Sequence, residues 1–137
     1  MGDGGSVHRQ NNLPRCPSAP PELANRYYLV TIFPTGILFV CPTHIVMSVL
    51  VPQRWNHTRY IRNIYLFGDA AMAPEHKTQR EAIFANWKTV GDQDVDLVRN
   101  VQAMARVRDE AGIQTRFSPY WEQSVHNFQR VYAAALD

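Results

Sequence analysis

The stretch Ile83-Phe84-Ala85-Asn86-Trp87-Lys88-Thr89-Val90-Gly91-Asp92-Gln93-Asp94-Val95-Asp96-Leu97-Val98-Arg99-Asn100-Val101 decides how this chain is read. Its apolar residues Ile83, Trp87, Val90, Leu97, Val98 and Val101, continued by Met104, recur at steps of three or four and draw one stripe along a helix. Asp94 falls on that stripe. It stands four residues after Val90 and just before Leu97 and Val98, so it is expected to project with them toward whatever the helix packs on. Asp92 and Asp96 point to roughly the opposite side and read as solvated neighbours. An ionised carboxylate is costly to bury unless it is paired, protonated or bound to a metal, so an acid on the inner face asks for a cation.

Working outward, Pro74 and Glu75 suit a first helical turn, and the pattern runs from there to about Arg108. Gly91 is the weak point, since glycine costs roughly 1 kcal/mol relative to alanine inside a helix. The rival reading ends one helix at Gly91 and caps the next with Asp92. The stripe keeps its phase across Gly91, which favours one continuous or gently kinked helix. After a polar connection, Ser118-Pro119 makes a good start for a last helix, with Val125, Phe128, Tyr132 and Leu136 as its expected buried face.

Upstream, the period changes to that of strands. Arg26 to Phe33 is aromatic and β-branched and stops at Pro34, and Gly36 to Cys41 is the second candidate after a Pro34-Thr35-Gly36 turn. His44 to Val51 carries apolar residues on its odd positions, Ile45, Met47, Val49 and Val51. Thr58 to Phe67 follows the polar turn at residues 53–57 and completes a meander of four antiparallel strands. Residues 1–25, with their glycines and Pro14, Pro17, Pro20 and Pro21, read as an irregular lead or loop. Strands in series followed by helices give an α+β layout, with the helices covering one face of the sheet.

Composition narrows the function. The length of 137 residues suits one modest domain with a real core. A net charge of +2, spread mostly over scattered Arg residues, implies no nucleic-acid surface. No apolar run is long enough to cross a bilayer, and the start lacks a signal-like apolar core, so no membrane is implied and a cytoplasmic location is expected. Two cysteines, Cys16 and Cys41, are too few for a disulfide framework and are expected as free thiols.

The order of these pieces carries a resemblance. Tyr27 to Pro34, a short turn and strand, Trp87 followed by Gln93-Asp94, then Val101-Gln102, and finally Ser118-Pro119 ahead of Val125, Phe128, Tyr132 and Leu136 resemble the C-terminal part of the catalytic domain of Rieske-type non-haem iron oxygenases. These are the α subunits of the aromatic-ring-hydroxylating oxygenases. The resemblance covers roughly Leu23 to Leu136. It implies a helix-grip (START-like) fold, a curved antiparallel sheet on a long helix, with 26–137 as the C-terminal portion of that domain. It also implies that Asp94, the acid of the Gln-Asp pair, is the carboxylate ligand of a mononuclear Fe(II). A facial triad of two histidines and one carboxylate leaves the remaining iron positions open. The family hydroxylates or demethylates mostly aromatic substrates with dioxygen, takes electrons from a reductase or ferredoxin through a [2Fe-2S] Rieske cluster, and often forms α-subunit trimers.

Departures from the family pattern are equally specific. The expected histidine pair is missing before Arg26, where His8 stands alone. Of the two Cys-His halves of a Rieske cluster, only Cys41-Pro42-Thr43-His44 matches by letters, and Cys16-Pro17-Ser18 fails. Cys41 ends one strand and His44 opens the next, so that match reads as accidental. Thr35 replaces the Asn common after the Ile-Phe-Pro run. Asp92 to Asp96 begins like a calcium loop, but Leu97 and Ala103 stand where Gly and Glu belong. Trp87, Phe84 and Met104 read as core, and His57, His76 and His126 as solvated. The expectation is therefore a fragment or truncated form of an oxygenase α subunit. It keeps the iron carboxylate, lacks the histidines and cluster, and is inactive alone. The competing reading is a non-catalytic helix-grip module that binds a hydrophobic molecule or a partner subunit.

Overall fold

A computed structural model of the chain describes residues 12–22 and 25–136, so His8 and Leu23 lie outside the described residues. The chain divides into two compact units, one reaching to Lys88 and the other beginning at Thr89.

The first unit is built on four strands, β1 (Tyr28–Ile32), β2 (Gly36–Val40), β3 (His44–Arg54) and β4 (His57–Leu66), in the antiparallel order β1-β2-β3-β4. These are the four segments that branched and aromatic residues mark in the sequence, and their order is that of a meander. The β1–β2 turn is tight at Gly36, where a Cβ would stand 2.9 Å from that of Ile32, its cross-strand partner. Any larger residue there pushes the strands apart.

The face of β3 that meets the helix is the reverse of the one its apolar pattern suggests. His44, Val46 and Ser48, on the even positions, are fully buried, whereas Ile45, Met47 and Val49 are half-buried and Val51 is exposed. Register carries the same face across the sheet: Phe39 opposes Val46, and Val46 opposes Ile64. Polar residues occupy this inner face because each has a fixed partner there, as shown below, so their burial leaves no strand of bare polar groups.

Two short 3-10 turns, Asp69–Met72 and Pro74–His76, lead into helix α1 (Lys77–Glu110), which is unbroken at Gly91. Arg80 fastens this entry, donating from Nη1 to the Ala71 and Ala73 carbonyls at 2.7 and 2.9 Å. Ile83 and Trp87, one helical turn apart, complete the core with Cys41, Val46 and Ala71. Leu13 is buried in the same cluster, and Cys16 N–H donates to the Pro42 carbonyl at 3.2 Å. The described part of the lead has no helix or strand, yet it is stitched to the β2–β3 turn.

In the second unit α1 ends at a glycine. Gly112, at φ +66°, adopts the left-handed conformation, and Ile113 N–H donates back to the Arg108 carbonyl at 2.8 Å. Helix α2 (Gln123–Ala134) starts later than the Ser118-Pro119 signal suggests. Residues 118–122 instead form a turn in which Ser118 N–H donates to the Glu122 carboxylate and Ser118 Oγ accepts from Trp121 N–H. The expected buried face of this helix is not buried: Val125, Tyr132 and Leu136 are exposed and only Phe128 is half-covered. The amphipathic pattern is real, but most of that face is exposed.

Trp87 is the residue whose loss the first unit is expected to feel most. The Trp87 indole N–H donates to the buried His44 ring, so Trp87→Phe keeps an aromatic ring but strands that acceptor, and urea unfolding followed by circular dichroism is expected to show a loss of about 1–3 kcal/mol. A change within about 0.5 kcal/mol, the range of ordinary surface substitutions, would contradict this role.

Candidate functional site

The sequence offers two places for chemistry, the acid on the long helix and the Cys-Pro-Thr-His turn. The structure treats them differently. Asp94 sits within α1, in the second unit, with Gln93 before it as expected. It is exposed. The stripe it belongs to divides in two: Ile83 and Trp87 are 6% and 7% exposed, whereas Leu97, Val98, Val101 and Met104 are all above half. Phe84, expected in the core, is likewise exposed. The expectation that Asp94 is buried is thus corrected, and the physical reason is plain. Helical phase aligns Asp94 with the apolar residues, but burial needs a second surface as well, and cover falls away along the stripe from Trp87 through half-buried Val90 to Leu97.

An exposed carboxylate keeps its hydration and needs no cation. Asp94 makes no ion pair among the described residues, while Asp96 pairs with Arg99 at 3.2 Å on the surface. Because Asp92 to Asp96 lies wholly inside a helix, the calcium-loop reading has no loop to rest on. His57 is exposed, His76 is half-buried, and His126 stacks on Phe117 with ring centres 4.6 Å apart.

The Cys-Pro-Thr-His turn is where buried polar groups do converge. Trp87 Nε1 donates to His44 Nε2 at 3.0 Å. An indole N–H can only donate, so Nε2 must be the bare nitrogen and the imidazole proton sits on Nδ1, 3.1 Å from Thr43 Oγ1. Above this pair, the Arg62 guanidinium lies 5.3 Å from the Trp87 ring centre and 4.9 Å from that of Tyr60. Arg62 also donates to the Trp87 carbonyl and, from Nη2, to Tyr60 Oη at 2.7 Å. Tyr60 O–H in turn donates to Ser48 Oγ at 2.7 Å. A chain of partners thus runs from β3 through β4 to the helix, and Phe39 packs against Trp87 at 4.9 Å. Sequence reasoning sets His44 aside and takes Trp87 as plain core. The signal that links them is the even phase of His44, Val46 and Ser48 along β3.

Could these residues hold the iron that the helix acid suggests? Among the described residues no three His, Cys, Asp or Glu side chains come together as a metal site would require. Both nitrogens of His44 are engaged, and Cys41 is a free, buried thiol that desolvation pushes up to about 11, well away from thiolate. The described residues therefore do not compose an iron site by themselves. Nor, among them, is any helix long and apolar enough to cross a membrane.

A four-stranded antiparallel sheet, a long helix and a C-terminal helix make the chain α+β in class. The family model for the ring-hydroxylating α subunit (catalytic domain) matches residues 2–137, and this chain belongs to that family. The family is one of Rieske non-haem iron oxygenases, so iron, aromatic substrates and electron-transfer partners go with it. No curated protein and no solved structure matches the chain.

The two thiols are expected to behave differently. The Cys16 thiol, half-exposed and hydrogen-bonded to Ser18, is held below the usual thiol range, whereas burial raises Cys41. A thiol reagent near neutral pH is expected to label Cys16 at once and Cys41 only on unfolding. Equal rates would contradict the burial. The raised Cys41 pKa favours the folded state fully below the unfolded value of 9.0, and that contribution is lost as pH climbs toward about 11.

Proposed function

We propose that this chain is the carboxylate-bearing, C-terminal portion of a Rieske-type ring-hydroxylating oxygenase α subunit, with Asp94 as the carboxylate ligand of the mononuclear iron. The histidine pair and the Rieske cluster come, on this reading, from polypeptide other than these residues. The observation that carries it is the family match over residues 2–137, together with the placement of Gln93-Asp94 on the long helix. The bare stripe around Asp94, with Leu97, Val98 and Val101 exposed, supports it as a surface that further polypeptide covers in an assembled site.

Iron in such a site supplies dioxygen activation, and the part of this chain is narrower. Asp94 would give one anionic oxygen ligand, mounted on a helix that is a rigid support for it. Apolar neighbours on the same stripe, once covered, would keep water from the metal. Alone, the chain is inactive, since one carboxylate does not hold Fe(II) tightly without the imidazoles. The reaction of the complete subunit is hydroxylation or demethylation of an aromatic substrate, with electrons from a reductase or ferredoxin. A cytoplasmic location and an α-subunit trimer belong to the same proposal.

The isolated chain, incubated anaerobically with Fe(II) and desalted, is expected to retain far less than one iron per chain and to show no reductase-coupled oxygen uptake. Stoichiometric iron would overturn the reading. The reading frame upstream is expected to encode the histidine pair and both Cys-His halves. Joined to that segment, the chain is expected to bind iron, and Asp94→Ala to abolish the binding. An unrelated upstream protein would favour the non-catalytic binding module instead.

A further inference from the structure

The β3–β4 hairpin runs on past the rest of the sheet. Strand β2 pairs with β3 only as far as Val49, whereas β3 and β4 stay paired out to Arg54 and His57, around a turn at Trp55 and Asn56. Every residue from Val51 to Tyr60 is exposed, and Trp55, at the tip, is 81% so. A two-stranded ribbon without a covered face is marginal in water, and an exposed indole adds nothing to its stability. Its charge is one-sided. Arg54, His57 and Arg59 lie on the arm, and the sequence from residue 23 to residue 68 contains no Asp or Glu. Neither Arg54 nor Arg59 makes an ion pair among the described residues. Arginine and proline on an outer strand can guard an edge against aggregation, which accounts for Pro52 and Arg59 but not for a tryptophan at the tip.

We propose that this arm docks onto an acidic surface of a partner protein, with Trp55 as the apolar anchor and Arg54 and Arg59 as the charges that set its orientation. Tryptophan and arginine are the residue types that dominate protein–protein hot spots, and arginine matches carboxylates with a planar fork. Two arginines are too few to track a nucleic-acid backbone, where tight binding neutralises many phosphates. A membrane surface would call for a broader apolar face and a larger basic cluster. The proposal stands whether or not Asp94 binds iron.

The full chain is tested against immobilised poly-L-glutamate as the acidic-polypeptide probe, with inorganic polyphosphate and phosphatidylserine vesicles in parallel. Binding to poly-L-glutamate is expected to weaken with salt, and Trp55→Ala and the double variant Arg54→Glu/Arg59→Glu are each expected to weaken it about tenfold or more with unchanged thermal unfolding. Arg116→Glu/Arg130→Glu makes the same charge change in the second unit and is expected to cost less than about twofold. Equal losses in the two double variants would reduce the effect to net charge and overturn the proposal. So would an unaffected Trp55→Ala, or tighter binding of polyphosphate or vesicles through the same arm.

Discussion

The hydrogen bond from the Trp87 indole to His44 ties the helix to the innermost face of the sheet, and the first unit is arranged around it. The bond fixes the helix in register, because Trp87 has a single donor and His44 is wholly buried. It fixes the strand face as well: His44 can meet the indole only if the even positions of β3 turn inward, and Val46 and Ser48 follow by the alternation of the strand. Arg62 then has a place over the indole, and Tyr60 bridges it back to Ser48. A buried network of this kind is stabilising only while every member keeps its partner, which makes it a specific clasp and a vulnerable one.

The clasp and the candidate ligand are on the same helix but serve different ends. The covered part of the α1 stripe fades from Trp87 to half-buried Val90, and Asp94 begins the bare part. The helix is therefore anchored in the first unit at its start and carries, further along in the second, an acid among exposed apolar residues. On the proposed reading, that division suits a ligand whose site is finished by other polypeptide.

Much of this was legible in the residues. The four strands, the long helix through Gly91 and the C-terminal helix follow from periodicity and turn chemistry, and the order of the Ile-Phe-Pro, Trp and Gln-Asp elements leads to the family. What was not legible depends on surfaces that periodicity does not describe. A stripe such as Leu97, Val98 and Val101 shows which way residues point and not whether anything meets them. The odd-position pattern of β3 was misleading because apolar count alone ranks Ile45 and Met47 above His44 and Ser48, while hydrogen-bond partners from two other elements reverse the order. Leu13 in the core was hidden by its proline-rich surroundings.

The tautomer of His44 tests the central clasp most directly. In a long-range proton–nitrogen correlation spectrum of the imidazoles, the account predicts that His44 carries its proton on Nδ1, with Nε2 bare and facing the Trp87 indole proton. A His44 protonated on Nε2 cannot accept that proton, and observing it would contradict the arrangement of helix on sheet described here.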